Sequence, residues 1–277
     1  MKLPVALQMY SVRDDARADL EGTLKKVKEM GYDGVELAGL YDHEPEEVRT
    51  LCEKYGLTPI SAHVPLKQTL EMGAEEMYRQ YQTIGCKFVV IPHISTNYCK
   101  QDEDFSEFVE ICKTLGKAAK DLGMQLCYHN HNFEFNNKID GRYMLDVLYE
   151  TVSPDLLETE LDTCWVNFGG EDPEKYVRKY AGRCRVVHVK DFVGKATANM
   201  YSLLGENDAD DTQKAAVNQE FEYRPLGCGL QNIPAIVKAA KESGAQWLIV
   251  EQDQPSAGKT PMECAQISID YLKTLNQ

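Results

Sequence analysis

Basic residues are in short supply. Across 277 residues, 30 Lys and Arg face 44 Asp and Glu, a net charge of −14 with the six His counted as neutral. A surface of that sign repels a phosphate backbone, so nucleic acid is not an expected partner. No cluster of Lys or Arg marks a phosphate site either. Long apolar runs are also missing: none approaches the ~20 residues that a helix needs to cross a bilayer, and no membrane contact is expected. The nine cysteines are odd in number and contain no Cys-x-x-Cys pair. Several, such as Cys127 and Cys184, stand in apolar runs where a thiol packs as a small hydrophobe. That pattern argues against a disulfide framework and a structural zinc site. It fits a reducing compartment, and the cytoplasm is the expected location. The first residues, MKLPVALQMYSVRDD, lack a small-residue cleavage site and meet acidic residues at once, so they read as a strand rather than a signal peptide.

Hydrophobic residues make up 43% of the chain, enough for a sizeable core. They fall into an alternation. Short apolar runs, buried-strand-like on both faces, occupy 5–9, 34–37, 58–62, 88–91, 125–128, 157–161, 185–189 and 247–250. Segments of helical period lie between them at 20–30, 45–55, 75–84, 105–122, 141–150, 172–180, 233–243 and 261–275. Five of these end on a glycine just before the next strand, the mark of a short αβ turn. Eight strands each followed by a helix predict an α/β fold, a single-domain (β/α)8 TIM barrel spanning 1–277, with a doubly wound open sheet as the alternative. One stretch departs from the rhythm. Residues 192–229, after the seventh strand, are too long for an ordinary βα loop, and they carry an acidic segment around 206–212 that would overhang the barrel mouth.

In such barrels the chemistry gathers at the carboxyl ends of the strands. Gln8 and Tyr10 follow the first strand here, and the next three end in Glu36, His63 and His93. The fifth gives Tyr128-His-Asn-His-Asn-Phe-Glu-Phe135, and the sixth ends in Asp162. The seventh ends in His188, Lys190 and Asp191, and the eighth in Glu251 and Asp253. All six histidines, including His43, map to this one end. Each residue has an ordinary alternative: Asp162 as a helix cap, Lys190 and Asp191 as a rim ion pair, a histidine as a satisfied structural group. Glu251 follows four apolar residues, where an unpaired carboxylate is expensive. Carboxylates and imidazoles converging on one mouth call for a cation. A hard-to-intermediate oxygen and nitrogen set predicts one divalent ion, Mn²⁺ foremost, with Mg²⁺, Co²⁺ or Zn²⁺ as alternatives.

These strings resemble the sugar phosphate isomerase/epimerase family of the xylose isomerase-like barrel superfamily, which also contains inosose dehydratase and endonuclease IV. The resemblance is carried by Tyr128–Phe135, Leu161-Asp-Thr-Cys-Trp165, Val187-His-Val-Lys-Asp191 and Val250-Glu-Gln-Asp253. Gln8-Met-Tyr-Ser-Val-Arg13 and Gly31-Tyr-Asp-Gly-Val-Glu-Leu37 extend it over the whole chain. It implies a metal held by Glu134, Asp162, His188 and Glu251. Several relatives place the first glutamate directly on strand five, where this chain has Tyr128 or His129, so His129 or His131 is the alternative ligand. The endonuclease chemistry is disfavoured by the charge.

The expected reaction is isomerisation or epimerisation of a small keto-sugar or related polyol through an enediolate. Glu134 or Glu251 would be the base, Lys190 would meet the developing oxyanion, and His131 would serve as an acid–base or hydroxyl-holding group. Tyr10, His63, His93, His129 and Trp165 are expected substrate contacts. The same enolate can expel a β-leaving group, so a lyase acting on a keto-inositol or a 3-keto-glycoside is the alternative. A non-catalytic sugar-binding barrel is the reading from a different class. Relatives suggest a homodimer or homotetramer.

Overall fold

The computed structural model describes residues 2–95, 98, 102–194 and 221–275. Eight parallel strands close into a barrel. In chain order the barrel strands are β1 (Val5–Gln8), β2 (Gly34–Ala38), β3 (Thr58–His63), β4 (Phe88–Ile91), β5 (Gln125–His129), β6 (Glu158–Asp162), β7 (Val186–Val189) and β8 (Trp247–Val250). Each pairs with the next, and β8 closes on β1 with Leu248 opposite Val5. The (β/α)8 expectation holds, and the open sheet is excluded by that last pairing. No helix among the described residues is long and apolar enough to cross a membrane.

Local rules explain the repeat. The helix Leu20–Met30 begins where Asp19 accepts the Gly22 N–H and buries Leu20, Leu24 and Val27 against the barrel. It stops at Gly31, whose φ of 99° places it in the left-handed region that a side chain disfavours. Four short helices have no counterpart in the sequence reading: Arg13–Ala18, Leu66–Met72, Phe133–Asn136 and Thr163–Phe168. They hold one or two turns each, too few for an amphipathic period to register.

Two apolar zones result. The larger core lies between strands and helices. A smaller cluster of Ala6, Ile60, Phe88, Val90, Cys127, Val186 and Ile249, with Trp247 against it, comes from strands alone and stoppers the inside of the barrel. Above that plug the inward positions turn polar.

The described ends of the 192–229 stretch pair with each other. Asp191–Gly194 pairs antiparallel with Phe221–Arg224. Residues 195–220, and with them the acidic segment, lie outside the described residues. Asp191 ties the base of the excursion together: Oδ1 accepts the N–H groups of Phe192 and Gln231, and Oδ2 those of Gly227 and Gly229, all at 2.9–3.0 Å. It is therefore not the rim partner of Lys190.

Candidate metal centre

The polar interior has two layers, set by the two-residue repeat of a strand. In the lower layer, Glu36 of β2 sits between Gln8 of β1 and Ser61 of β3. Its Oε1 accepts Gln8 Nε2 at 2.7 Å, and its Oε2 accepts Ser61 Oγ at 2.5 Å. The Gln8 amide is oriented by Tyr10, whose N–H donates to Gln8 Oε1. Across the barrel, Glu160 of β6 meets three imidazoles through Oε2: His63 Nε2 at 2.7 Å, His129 Nδ1 at 3.2 Å and His188 Nε2 at 3.3 Å. His188 Nε2 also lies 2.7 Å from Glu36 Oε1. That approach is off the line of the N–H, so it is an ion-pair contact and not a directed hydrogen bond. The three rings pack on one another, His63 stacked on His188 and His129 edge-on to both.

The upper layer faces the mouth. Asp162 ends β6 and divides its duties. Oδ1 caps the helix Thr163–Phe168 by accepting the N–H groups of Cys164 and Trp165, as its cap alternative foresaw. Oδ2 is buried with no hydrogen-bond partner, 3.6 Å from His129 Nε2 and 3.3 Å from Lys190 Nζ. Glu251 Oε2 lies 3.0 Å from His188 Nδ1, 3.0 Å from Lys190 Nζ and 4.0 Å from His129 Nε2. Lys190 reaches Asp253 as well, at 3.2 Å, and lies over the rings of Trp165 and Tyr223.

The protonation states follow from these neighbours. Burial pushes Glu160 up, but the imidazoles of His188 and His63 outweigh it and hold the carboxyl well below its usual range. Its partner Glu36 is raised, by burial and by the Glu160 charge. Burial opposes the His188 imidazolium, yet the carboxylates of Glu160 and Glu36 lift it well above the usual value. His129 is pushed down to about 4 by burial. Lys190 gains more from Asp253, Glu251 and Asp162 than burial takes away, and stays an ammonium. Glu251 is drawn well below the carboxylate range by Lys190 and His188 in spite of burial.

Ligand-capable atoms of His129, Asp162, His188 and Glu251 all lie within 4.8 Å of one another, and so do those of His63, His129, Glu160 and His188. The upper set suits a divalent cation. It offers two imidazoles and two carboxylates, all buried, and Asp162 Oδ2 accepts no hydrogen bond although the Lys190 ammonium stands 3.3 Å away.

Of the four ligands expected, Asp162, His188 and Glu251 come together and Glu134 does not. Glu134 lies in the turn Phe133–Asn136, where its Oε1 accepts the Tyr128 hydroxyl and its Oε2 the His131 N–H. The strand-five place falls to His129, the alternative ligand. His131 stacks on Phe133 and tilts against Trp165, with Nδ1 of the one and Nε1 of the other lacking hydrogen-bond partners. His93 is half-buried, its ring edge-on to His131 at 6.2 Å. Tyr10 is 44% exposed at the rim, with the Arg13 guanidinium over its ring. His43 stands apart, facing Glu47 on an outer helix. His63 is a lower-layer group beside Glu160. Glu160 itself escaped the sequence reading, and Glu36 and Asp253 were seen at strand ends without a task. The available signal was a carboxylate inside a buried strand two residues before Asp162, which places it on the same inward face.

Comparison with known proteins agrees with this architecture. The model of the xylose isomerase-like TIM barrel family matches residues 24–275. The inosose dehydratase of Geobacillus kaustophilus is 23% identical over 273 residues, covering 91% of this chain and 86% of that protein. Among solved structures, a sugar phosphate isomerase/epimerase from Parabacteroides distasonis superposes with a TM-score of 0.75 at 22% identity, covering 98% of each chain. The structure of the IOLI protein with a bound zinc atom gives 0.72 at 16% identity, covering 99% of this chain and 98% of that one.

Proposed function

The chain belongs to the xylose isomerase-like TIM barrel family, and on that premise we propose that it is a metal-dependent enzyme that moves a proton beside the carbonyl of a small polyhydroxy ketone. The observation that carries this reading is the meeting of His129, Asp162, His188 and Glu251 from four strands at the barrel mouth. With two imidazoles in the set, a borderline ion such as Mn²⁺, Co²⁺ or Zn²⁺ suits it better than Mg²⁺. Such an ion supplies Lewis acidity, polarising the carbonyl and easing the charge of the enediolate.

The protein's own groups have separate tasks. Glu251, kept ionised by Lys190 and His188, is the base for the α-proton. Lys190, held as an ammonium, donates to the substrate oxygen on which negative charge develops. Trp165 offers an unpartnered Nε1–H to a hydroxyl, and neutral His131 offers a second polar contact. Glu134 holds the His131 backbone in place. Return of the proton at the same or the neighbouring carbon gives epimerisation or isomerisation.

Elimination of a β-hydroxyl is the second reading, favoured by curated relatives named inosose dehydratase that cover 91% of the chain. Incubating Mn²⁺- or Zn²⁺-loaded protein with ketoses and keto-inositols in D₂O separates the two. Deuterium at the α-carbon with the carbon skeleton and hydroxyl count unchanged identifies an isomerase or epimerase, and loss of water identifies a dehydratase. A protein that takes up no divalent ion and exchanges no α-proton would be a binding module, and both readings would fall.

A further inference from the structure

We propose that Glu160 is a positioning residue for the metal centre: from one layer below, its carboxylate turns His129 so that Nε2 is the nitrogen offered to the ion. The inference rests on the upper set being the metal site. Two groups among the described residues are suited to an ion, and they share His129 and His188. A neutral imidazole has one lone pair to give, because its other nitrogen carries hydrogen. Neither ring can serve two ions without losing a second proton, so one group holds the ion and the other supports it.

The contacts decide which is which. The His129 Nδ1 edge makes its hydrogen bond to Glu160 Oε2 at 3.2 Å. Its Nε2 edge has only wider approaches, 3.6 Å to Asp162 Oδ2 and 4.0 Å to Glu251 Oε2. In the lower group Glu160 Oε2 is also hydrogen-bonded to His63 Nε2 at 2.7 Å, while its Oε1 is buried with no hydrogen-bond partner. The upper group sets two carboxylates, Asp162 and Glu251, before the Nε2 edge of His129, and Asp162 Oδ2 accepts no hydrogen bond, with Lys190 Nζ 3.3 Å away. The ion therefore belongs above and Glu160 beneath it. Glu36 lies under His188 at 2.7 Å, braced by Gln8 and Ser61, but as an ion-pair contact and not a hydrogen bond. A carboxylate behind a ligating imidazole fixes its tautomer and aim and strengthens it as a ligand. Loss of such a partner weakens metal binding by about 10–100-fold.

The test is a titration of Zn²⁺ and Mn²⁺ into metal-stripped full-length protein against a chromophoric chelator, with the Tm of each metal-free form. Wild type is expected to bind one ion per chain, and Glu160→Gln to bind it about 10–100-fold more weakly while still unfolding cooperatively. Should Glu160→Gln not fold, Glu160→Asp carries the same expectation, since it keeps the charge and withdraws it by one methylene. Two ions per chain would overturn the inference by making Glu160 a ligand. Unchanged affinity with a lowered Tm would overturn it alone, leaving Glu160 a counter-charge for buried imidazoles. A wild type that binds no ion would remove the metal reading and this inference together.

Discussion

Glu134 shows how little distance separates a ligand from a structural carboxyl. Burial pushes its pKa up to about 8 against the Tyr128 and His131 hydrogen bonds that lower it. The folded protein thus holds a proton that the unfolded chain, with an ordinary value near 4.5, gives up. Stability from this group is fully present below about pH 4.5 and declines up to about pH 8, because the native state binds more protons across that window. Glu134→Gln removes the titration. Melting curves of both proteins between pH 4.5 and 8.5 should show the variant gaining on wild type as pH rises, and a constant offset would contradict the assignment. The upper-layer residues were legible in the sequence because each ends a strand. Glu160 was not legible, and Glu36 was legible only as a strand end without a task. Their partners, His63, His129 and His188, come from other strands far along the chain, and without them a buried carboxylate looks like an error. Glu134 misled for the opposite reason: its place in the motif fits a ligand, but a single helical turn directs it to Tyr128.

At the scale of elements, strands and helices were read almost to the residue where a period of two or three to four runs long enough. Strand β5 ends at His129 and β6 at Asp162, one residue later than expected in each case, and those added residues are site residues. The 192–229 excursion was visible as a break in rhythm, but its anchor was not, because four backbone N–H groups meeting one carboxylate leave no trace in composition. Asp191→Asn replaces one acceptor oxygen with an NH₂, stranding two N–H groups from among Phe192, Gly227, Gly229 and Gln231. Each stranded group costs about 1–3 kcal/mol. Thermal unfolding should show a marked fall in Tm with the metal ligands untouched, and a Tm within a degree of wild type would mean the clamp is dispensable.

For the whole molecule, the metal reading has a consequence for stability. Lys190 already offsets Asp162, Glu251 and Asp253, so the metal-free protein is expected to fold. An ion that binds only the native state then adds to stability by mass action, about 2.7 kcal/mol at a concentration 100 times its Kd. Differential scanning with and without chelator should give two cooperative transitions, the metal-loaded one higher. A chelated protein with no transition would show that Lys190 does not balance the site by itself. The apolar cluster inside the strands has a different kind of consequence. It makes the barrel a cup rather than a tube. Traffic of every kind, whether reactant, product or exchangeable hydrogen, must share one rim, so a departing molecule has to clear the opening before the next can settle.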